Sequence, residues 1–248
     1  MLHMKQKLFY ITFTILLGSM IQSCQPSSHS ELAGYYMPDK AEQGGIVHQF
    51  ESEGFQTGKE YWYYNLRETP DSTHLIITVY DEELNQQQLS AEKKVANGWI
   101  QQQLLLFFPD SNKTRTEMAT VHSGNRFAFD LQDSLDLLHY SLEWEENLDG
   151  DLATKKLFRN SRFMGYDSIL IMETAHKAAH FVSRDKVEDD REGTLTLDLK
   201  SDDYYVKGLG LVEKYQFYLK GDEKILVRHL KLTDTLRMTD LEKKLKDK

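Results

Sequence analysis

Glu173, His176 and His180 are the residues of this chain best suited to hold a metal ion. On a helix, a four-residue step puts both imidazoles on one face with the carboxylate beside them. On a strand the two rings share a face but stand about 13 Å apart at about 3.3 Å per residue, too far for one ion to bridge. Ile169–Met172 before them and Phe181–Val182 after them have strand character, so the expectation is ordinary histidines, with no metal and no cofactor. Asn147, Asp149 and Asp151 alternate like the start of a calcium loop, but Leu152 and Phe158 stand where that loop needs its glycine and its bidentate glutamate. A hairpin turn fits better. Aromatics form the second group. Tyr61 and Tyr63 alternate with Trp62 and Tyr64, and Tyr204 and Tyr205 precede a glycine pair. On strands such rings can line a groove for an apolar or glycan ligand, or fill a core. No nucleophile elbow, P-loop or His-Glu-x-x-His motif occurs, and Gly208-Leu209-Gly210 lacks the third glycine and the βαβ setting of a dinucleotide site. The chain is therefore expected not to be an enzyme, with a hydrolase as the minor alternative.

One residue carries a different chemistry. Lys5 and Lys7 precede a short apolar run, Leu8–Ile21, shorter than the roughly 20 residues of a spanning helix. A short apolar core behind lysines is the pattern of a secretory signal. Ile21-Gln22-Ser23-Cys24 then resembles the bacterial lipobox. That resemblance implies cleavage after Ser23 and a lipid on the Cys24 thiol, although Gln22 is larger than the residue usual there. Cys24 is the only cysteine, so no internal disulfide can form and the fold must rest on its own core. The expected organisation is a signal peptide at 1–23, a lipidated tether at 24–30, one β domain at 31–236, and a charged tail or short helix at 237–248. Gln25 replaces the Asp that holds lipoproteins at the inner membrane, so the expected place is the cell envelope, anchored in the outer membrane and facing the periplasm.

The charge excludes one partner class. Net charge is −9 for the whole chain. Residues 1–23 carry two lysines and no acid, so the remainder stands at −11. Nucleic acid needs clustered Lys and Arg against its phosphates, and none is expected as a partner. The membrane is expected as a partner through the lipid at Cys24.

The elements that must position these residues are strands. Phe127, Phe129 and Leu131 alternate with polar neighbours, as do Leu138, Tyr140, Leu142 and Trp144, and again Leu195, Leu197 and Leu199. Period two with one apolar face predicts an antiparallel sheet or barrel wall. Asn97-Gly98 and Asp149-Gly150 suit tight hairpins. Leu75–Tyr80 and Ile100–Phe108 are apolar on both faces and predict buried strands, while Leu84–Lys94 is expected as strand or loop. Leu241 and Leu245, four apart, predict a short helix over 239–246.

The block Asp203-Tyr204-Tyr205-Val206-Lys207-Gly208-Leu209-Gly210-Leu211-Val212-Glu213-Lys214 resembles the Y-A-x-G-V-G-L-V strand of uncharacterised exported Bacteroidota lipoproteins of the domain-of-unknown-function 3108 or TapB-like kind. Val206 stands where Ala is common. The resemblance implies a mainly β fold, a single antiparallel β-barrel or half-barrel resembling the curved sheet of lipoprotein carriers, and gives no catalytic residues. The function it leaves is a non-catalytic binding module for an apolar or glycan ligand or an envelope protein, or else a purely structural and assembly role. Four Asp-Ser/Thr triplets, at 71–73, 133–135, 167–169 and 234–236, resemble O-glycosylation sites of such proteins.

Overall fold

A computed structural model describes residues 31–55, 57–110, 113–131, 136–148, 151–191, 193–221 and 223–246. The expected leader, Cys24 and the tether lie outside them, as do Asp149-Gly150 and the triplet at 133–135. Twelve strands follow one another: β1 (Ile46–Gly54), β2 (Gly58–Thr69), β3 (Ser72–Tyr80), β4 (Gln86–Val95), β5 (Gly98–Asp110), β6 (Lys113–Phe127), β7 (Leu137–Leu148), β8 (Asp151–Ile171), β9 (Thr174–Asp189), β10 (Leu195–Val206), β11 (Gly210–Lys220) and β12 (Glu223–Leu236). Each pairs antiparallel with the next, and β1 pairs with β12 from Val47–Leu236 to Gly54–Arg228, so the sheet is a closed barrel. Closure means that neither β1 nor β12 is an edge strand, although β6 pairs with β7 only over Thr120–Gly124. The half-barrel alternative is thereby set aside. The suspected break at Asn147–Asp151 is flanked by the paired ends of β7 and β8, within one wall.

Because neighbours alternate in direction, the loops fall into two sets. The β1–β2, β3–β4, β5–β6, β7–β8, β9–β10 and β11–β12 connections ring one end. The others ring the opposite end, where residues 31–45 enter as a plug. Leu32 N–H donates to Phe129 O (3.1 Å), Gly208 N–H to Gly34 O (2.8 Å) and Asp39 N–H to Gly208 O (3.0 Å). Leu32, Tyr35 and Tyr36 of the plug pack with Tyr64, Leu75, Trp99, Phe127, Phe129 and Phe181, forming the main core in this closed end.

The glycines of the Tyr204–Lys214 block are explained by the plug. Residues 207–209 form the β10–β11 turn rather than a continuous strand. Gly208 and Gly210 adopt φ of +77° and +74°, and added Cβ atoms would lie 2.7 Å from the Asp39 carboxylate and 2.8 Å from Tyr36 O. Only glycine permits both the backbone and the close approach.

The expected C-terminal helix is present as α1 (Met238–Lys246). It lies against the outside of the barrel, where Leu241 packs with Val47 and Tyr61. The outer face of β9 and β10 carries exposed Arg184, Lys186 and Asp198. A lipid-facing band does not carry such a row. β5 departs from the expectation of a strand buried on both faces. Leu104 is buried, but Leu105 and Phe107 are only half-buried on the outer face, which lies next to solvent.

Candidate functional site

The upper barrel encloses a cavity of about 900 Å³ that opens between the β1–β2 and β3–β4 loops. That is at the upper end of the roughly 300–1,000 Å³ common for small-molecule pockets. Strand register assigns its walls, since paired residues share a face. Reading down β5, β7, β8, β9 and β10 from the open end, the inward residues change character in the same order. Leu106 and Leu104 lead to Gln101 and then Trp99. Trp144 and Leu142 lead to Tyr140, and Leu157 leads to Arg159, Ser161 and Phe163. On β9 Val187 leads to Asp185, Ser183 and Phe181. On β10 Leu197 and Leu199 lead to Ser201, Asp203 and Tyr205. An apolar belt thus lies above an ionic belt, and an aromatic floor lies below both. The opposite wall is mixed: Glu60, Arg228, Gln216 and Lys214 line the cavity there together with Trp62 and Val79.

The ionic belt is built of pairs. Arg159 grips Asp185 through Nε (2.7 Å) and an Nη (2.5 Å). Burial acts to raise Asp185, but Arg159 outweighs it and holds the carboxyl below its ordinary value. Arg126 Nε reaches Glu92 at 3.3 Å, and its guanidinium lies over the Tyr140 ring at 4.7 Å. The plug joins here, as Tyr36 Oη donates to both Glu92 oxygens at 2.9 and 2.8 Å. Burial still pushes Glu92 up, against the opposing pull of Arg126 and Tyr36. Lys214 meets Asp203 at 3.1 Å; burial lowers the amine, with Asp203 opposing. Arg228 bridges to Glu60, which also accepts from Trp62 Nε1 at 3.2 Å. Above the apolar belt, Lys155 bonds Glu146 and Asp189, and Arg191 bonds Glu146.

Residues expected to bind ligand divide between the two faces. Tyr205 lines the lumen, beside Trp62 and Tyr64. Tyr61 and Tyr63 pack outside, in the cluster formed with α1. Tyr204 is outside too, stacked on His180 with centroids 4.5 Å apart and planes 13° apart. Thus the rings alternating with the expected tyrosines, Trp62 and Tyr64, meet the cavity. His176 and His180 lie on β9, which removes the helical arrangement a shared metal would need. His180 instead sits between Asp167 (3.0 Å) and Asp202 (3.1 Å), and Glu173 is in the β8–β9 turn with φ +65°. Among the described residues no cluster of three or more His, Cys, Asp or Glu could hold a metal ion. Of the triplets, Ser72 starts β3, Ser168 is exposed on β8 and Thr235 is half-buried on β12.

Sequence reasoning missed Arg126, Arg159, Lys214 and Tyr36. The available signal was the repeated inward order of apolar, then ionic, then aromatic residues along successive strands.

No protein-family model matches the chain, the domain-of-unknown-function 3108 kind included, and no curated protein matches it. The fold is similar to two crystal structures. One is of a protein described as exported, with a YmcC-like fold, from Bacteroides fragilis; it is 12% identical, with a TM-score of 0.54 over 83% of this chain and 100% of that one. The other is of a protein described as a lipoprotein from Parabacteroides distasonis, 12% identical, with a TM-score of 0.51 over 82% of this chain and 99% of that one. The chain shares with both a fold, and at this identity the likeness extends no further.

Proposed function

We propose that this chain is a lipid-anchored envelope protein acting as a non-catalytic binding module, and that its ligand occupies the barrel lumen. The observation that carries the reading is the 900 Å³ cavity with an apolar wall at its open end. A barrel with a purely structural role has no need of unfilled space, because close packing of the interior stabilises it more.

The lipobox-like Ile21–Cys24 supports the anchor, and the descriptions of the two fold neighbours as exported and as a lipoprotein are in keeping with it. Six residues, 25–30, would join Cys24 to the plug, spanning at most about 20 Å. The plug enters at the closed end, so the mouth lies about 30 Å away, the height of a 12-residue strand tilted by about 40°. The ligand would then be exchanged on the side facing away from the anchoring membrane. In this reading that membrane is the outer membrane and the domain faces the periplasm.

Native mass spectrometry of protein released gently from membranes tests the lumen. Retained apolar ligand is expected, and repeated ligand-free spectra together with no uptake of added apolar probes would refute it. Incorporation of labelled palmitate, lost in Cys24→Ala along with membrane association, is expected for the anchor; equal membrane association without label would refute that part.

A further inference from the structure

We propose that the lumen selects an anionic amphiphile and binds it head-down, with a carboxylate or phosphate in the ionic belt and the chain rising along the apolar belt to the mouth. This rests on the lumen being the binding site and adds the ligand's charge and direction.

The first argument is the order of the layers. A ligand entering from the open end meets Leu106, Leu104, Trp144, Leu142 and Leu157 before it meets Arg126, Arg159 and Lys214. An apolar tail has no favourable place at the ionic depth, where it would desolvate charges without replacing their hydrogen bonds. A polar head at that depth, with its tail above, matches both layers.

The second argument is how the charges face. The side chain of Arg126 is 24% exposed while that of Glu92 is 0%, and Arg159 is 17% exposed while Asp185 is 1%. Both arginines and Lys214 line the cavity, whereas Glu92 and Asp185 do not. Each carboxylate lies behind its guanidinium, in the wall. The protein is acidic overall, with a net charge of −9, but the depth of this cavity presents mainly cations. Two acids also line the cavity, each beside a cation: Asp203 next to Lys214 and Glu60 bridged to Arg228. Forked guanidinium donors suit a carboxylate or phosphate.

The rim carries Asp81, Glu82 and Glu83, with Lys59 and Arg228 among them. Asp81 is committed to its own loop, accepting from the backbone of Glu83 and Asn85 and from the side chains of Asn85 and Gln87. The rim acids oppose entry of an anion at long range, and that opposition is screened beyond about 8 Å at physiological salt. The preference therefore belongs to the deep site and shows in affinity at about 0.15 M salt.

The test uses the purified full chain and three soluble probes of one chain length, dodecanoate, dodecanol and dodecyltrimethylammonium, each below its aggregation limit. Fluorescence of Trp62 and Trp144, both lining the cavity, reports binding. Dodecanoate is expected to bind roughly 10- to 100-fold more tightly than dodecanol, the range of a charge-assisted hydrogen bond, and the ammonium probe more weakly than either. The double variant Arg126→Gln/Glu92→Gln removes a cation and its counterion together, leaving no orphaned buried charge. It should keep the affinity for dodecanol and lose most of the preference for dodecanoate. Equal affinity for all three probes, or a preference for the ammonium, would overturn the head-down anionic site while leaving the lumen as a binding site. An unchanged preference in a folded double variant would overturn it as well. Binding of none of the three would refute the lumen reading itself.

Discussion

His48 should make the barrel acid-labile by an amount fixed by one residue. It lies on β1, fully buried, with its ring 4.9 Å from that of Tyr64 and 6.1 Å from that of Phe50. Neither ring nitrogen makes a hydrogen bond of ordinary geometry. Burial lowers the imidazole from 6.5 to about 3, with a smaller raising contribution from the backbone of Leu211. The folded barrel thus keeps His48 neutral, while the unfolded chain takes up a proton below its ordinary value. Between those two values the unfolded state binds more protons, so stability falls as pH falls, by about 1.4 kcal/mol per pH unit. From pH 7 to pH 5 the loss is about 2 kcal/mol, and it does not depend on the folded value so long as that lies well below 5. Other groups titrate in the same window, so the measurement is a difference. Urea unfolding of the native sequence and of His48→Leu at pH 7, 6 and 5 should give curves that diverge by about 2 kcal/mol, the variant being the more stable at pH 5. Parallel curves would mean that the imidazole is protonated inside the fold, and the reasoning from burial would fail.

Three further outcomes follow from the packing. Tyr36→Phe removes the donor to a fully buried carboxylate and should cost about 1.5–3 kcal/mol, read by urea unfolding; a loss below about 0.5 kcal/mol would mean that the plug is not held through Glu92. Gly98→Ala places a Cβ 2.0 Å from Phe127 O at φ +142°, whereas Gly44→Ala at φ +94° meets nothing within 4 Å. The first should cost more than about 3 kcal/mol and the second only about 1–2 kcal/mol, by thermal unfolding, and equal costs would contradict the close approach of β5 and β6 at this point. Leu241→Ala should weaken docking of α1 by about 2–3 kcal/mol and raise hydrogen exchange across 238–246, while barrel amides stay protected; loss of protection throughout would show that α1 is integral to the barrel.

Much of the fold could be read from the sequence because barrel strands advertise themselves. Leu138, Tyr140, Leu142 and Trp144 alternate with polar residues and all four face inward, and Asn97-Gly98 stands where β4 turns into β5. The site was harder to read, for two physical reasons. Tyr61 through Tyr64 are all aromatic, so their composition carries no phase. What sets the phase is that α1, far along the chain, covers Val47 and Tyr61 from outside and leaves Trp62 and Tyr64 facing the lumen. The charged residues of the lumen mislead in the opposite sense. Arg126, Asp130 and Asp198 look alike as polar members of alternating runs, yet Arg126 points into the barrel and Asp198 out to solvent. β6 is irregular against β5 at this point: Phe127 faces Trp99 but Asn125 faces the very next residue, Ile100, so Arg126 has no partner in that ladder. An irregular register moves inward residues to the other parity, so a strict alternation starting from Phe127 gives Arg126 the wrong face.

The ionic belt is also the costliest part of the barrel. Buried ion pairs often contribute less to stability than apolar residues of the same volume, and here three pairs, Arg126–Glu92, Arg159–Asp185 and Lys214–Asp203, occupy the middle of the lumen. Leucines there would extend the apolar belt, close the cavity and add stability. What the pairs provide instead is a set of fixed donors at one depth, held in place by carboxylates in the wall and, through Tyr36, by the plug. Rigid donors of this kind lose little freedom when a ligand arrives. The plug matters to this arrangement as much as the strands do. Tyr36 forms part of the cavity floor and also fixes Glu92, which orients Arg126. The plug, residues 31–45, is thereby joined, through two hydrogen bonds and an ion pair, to the depth at which a ligand head would rest.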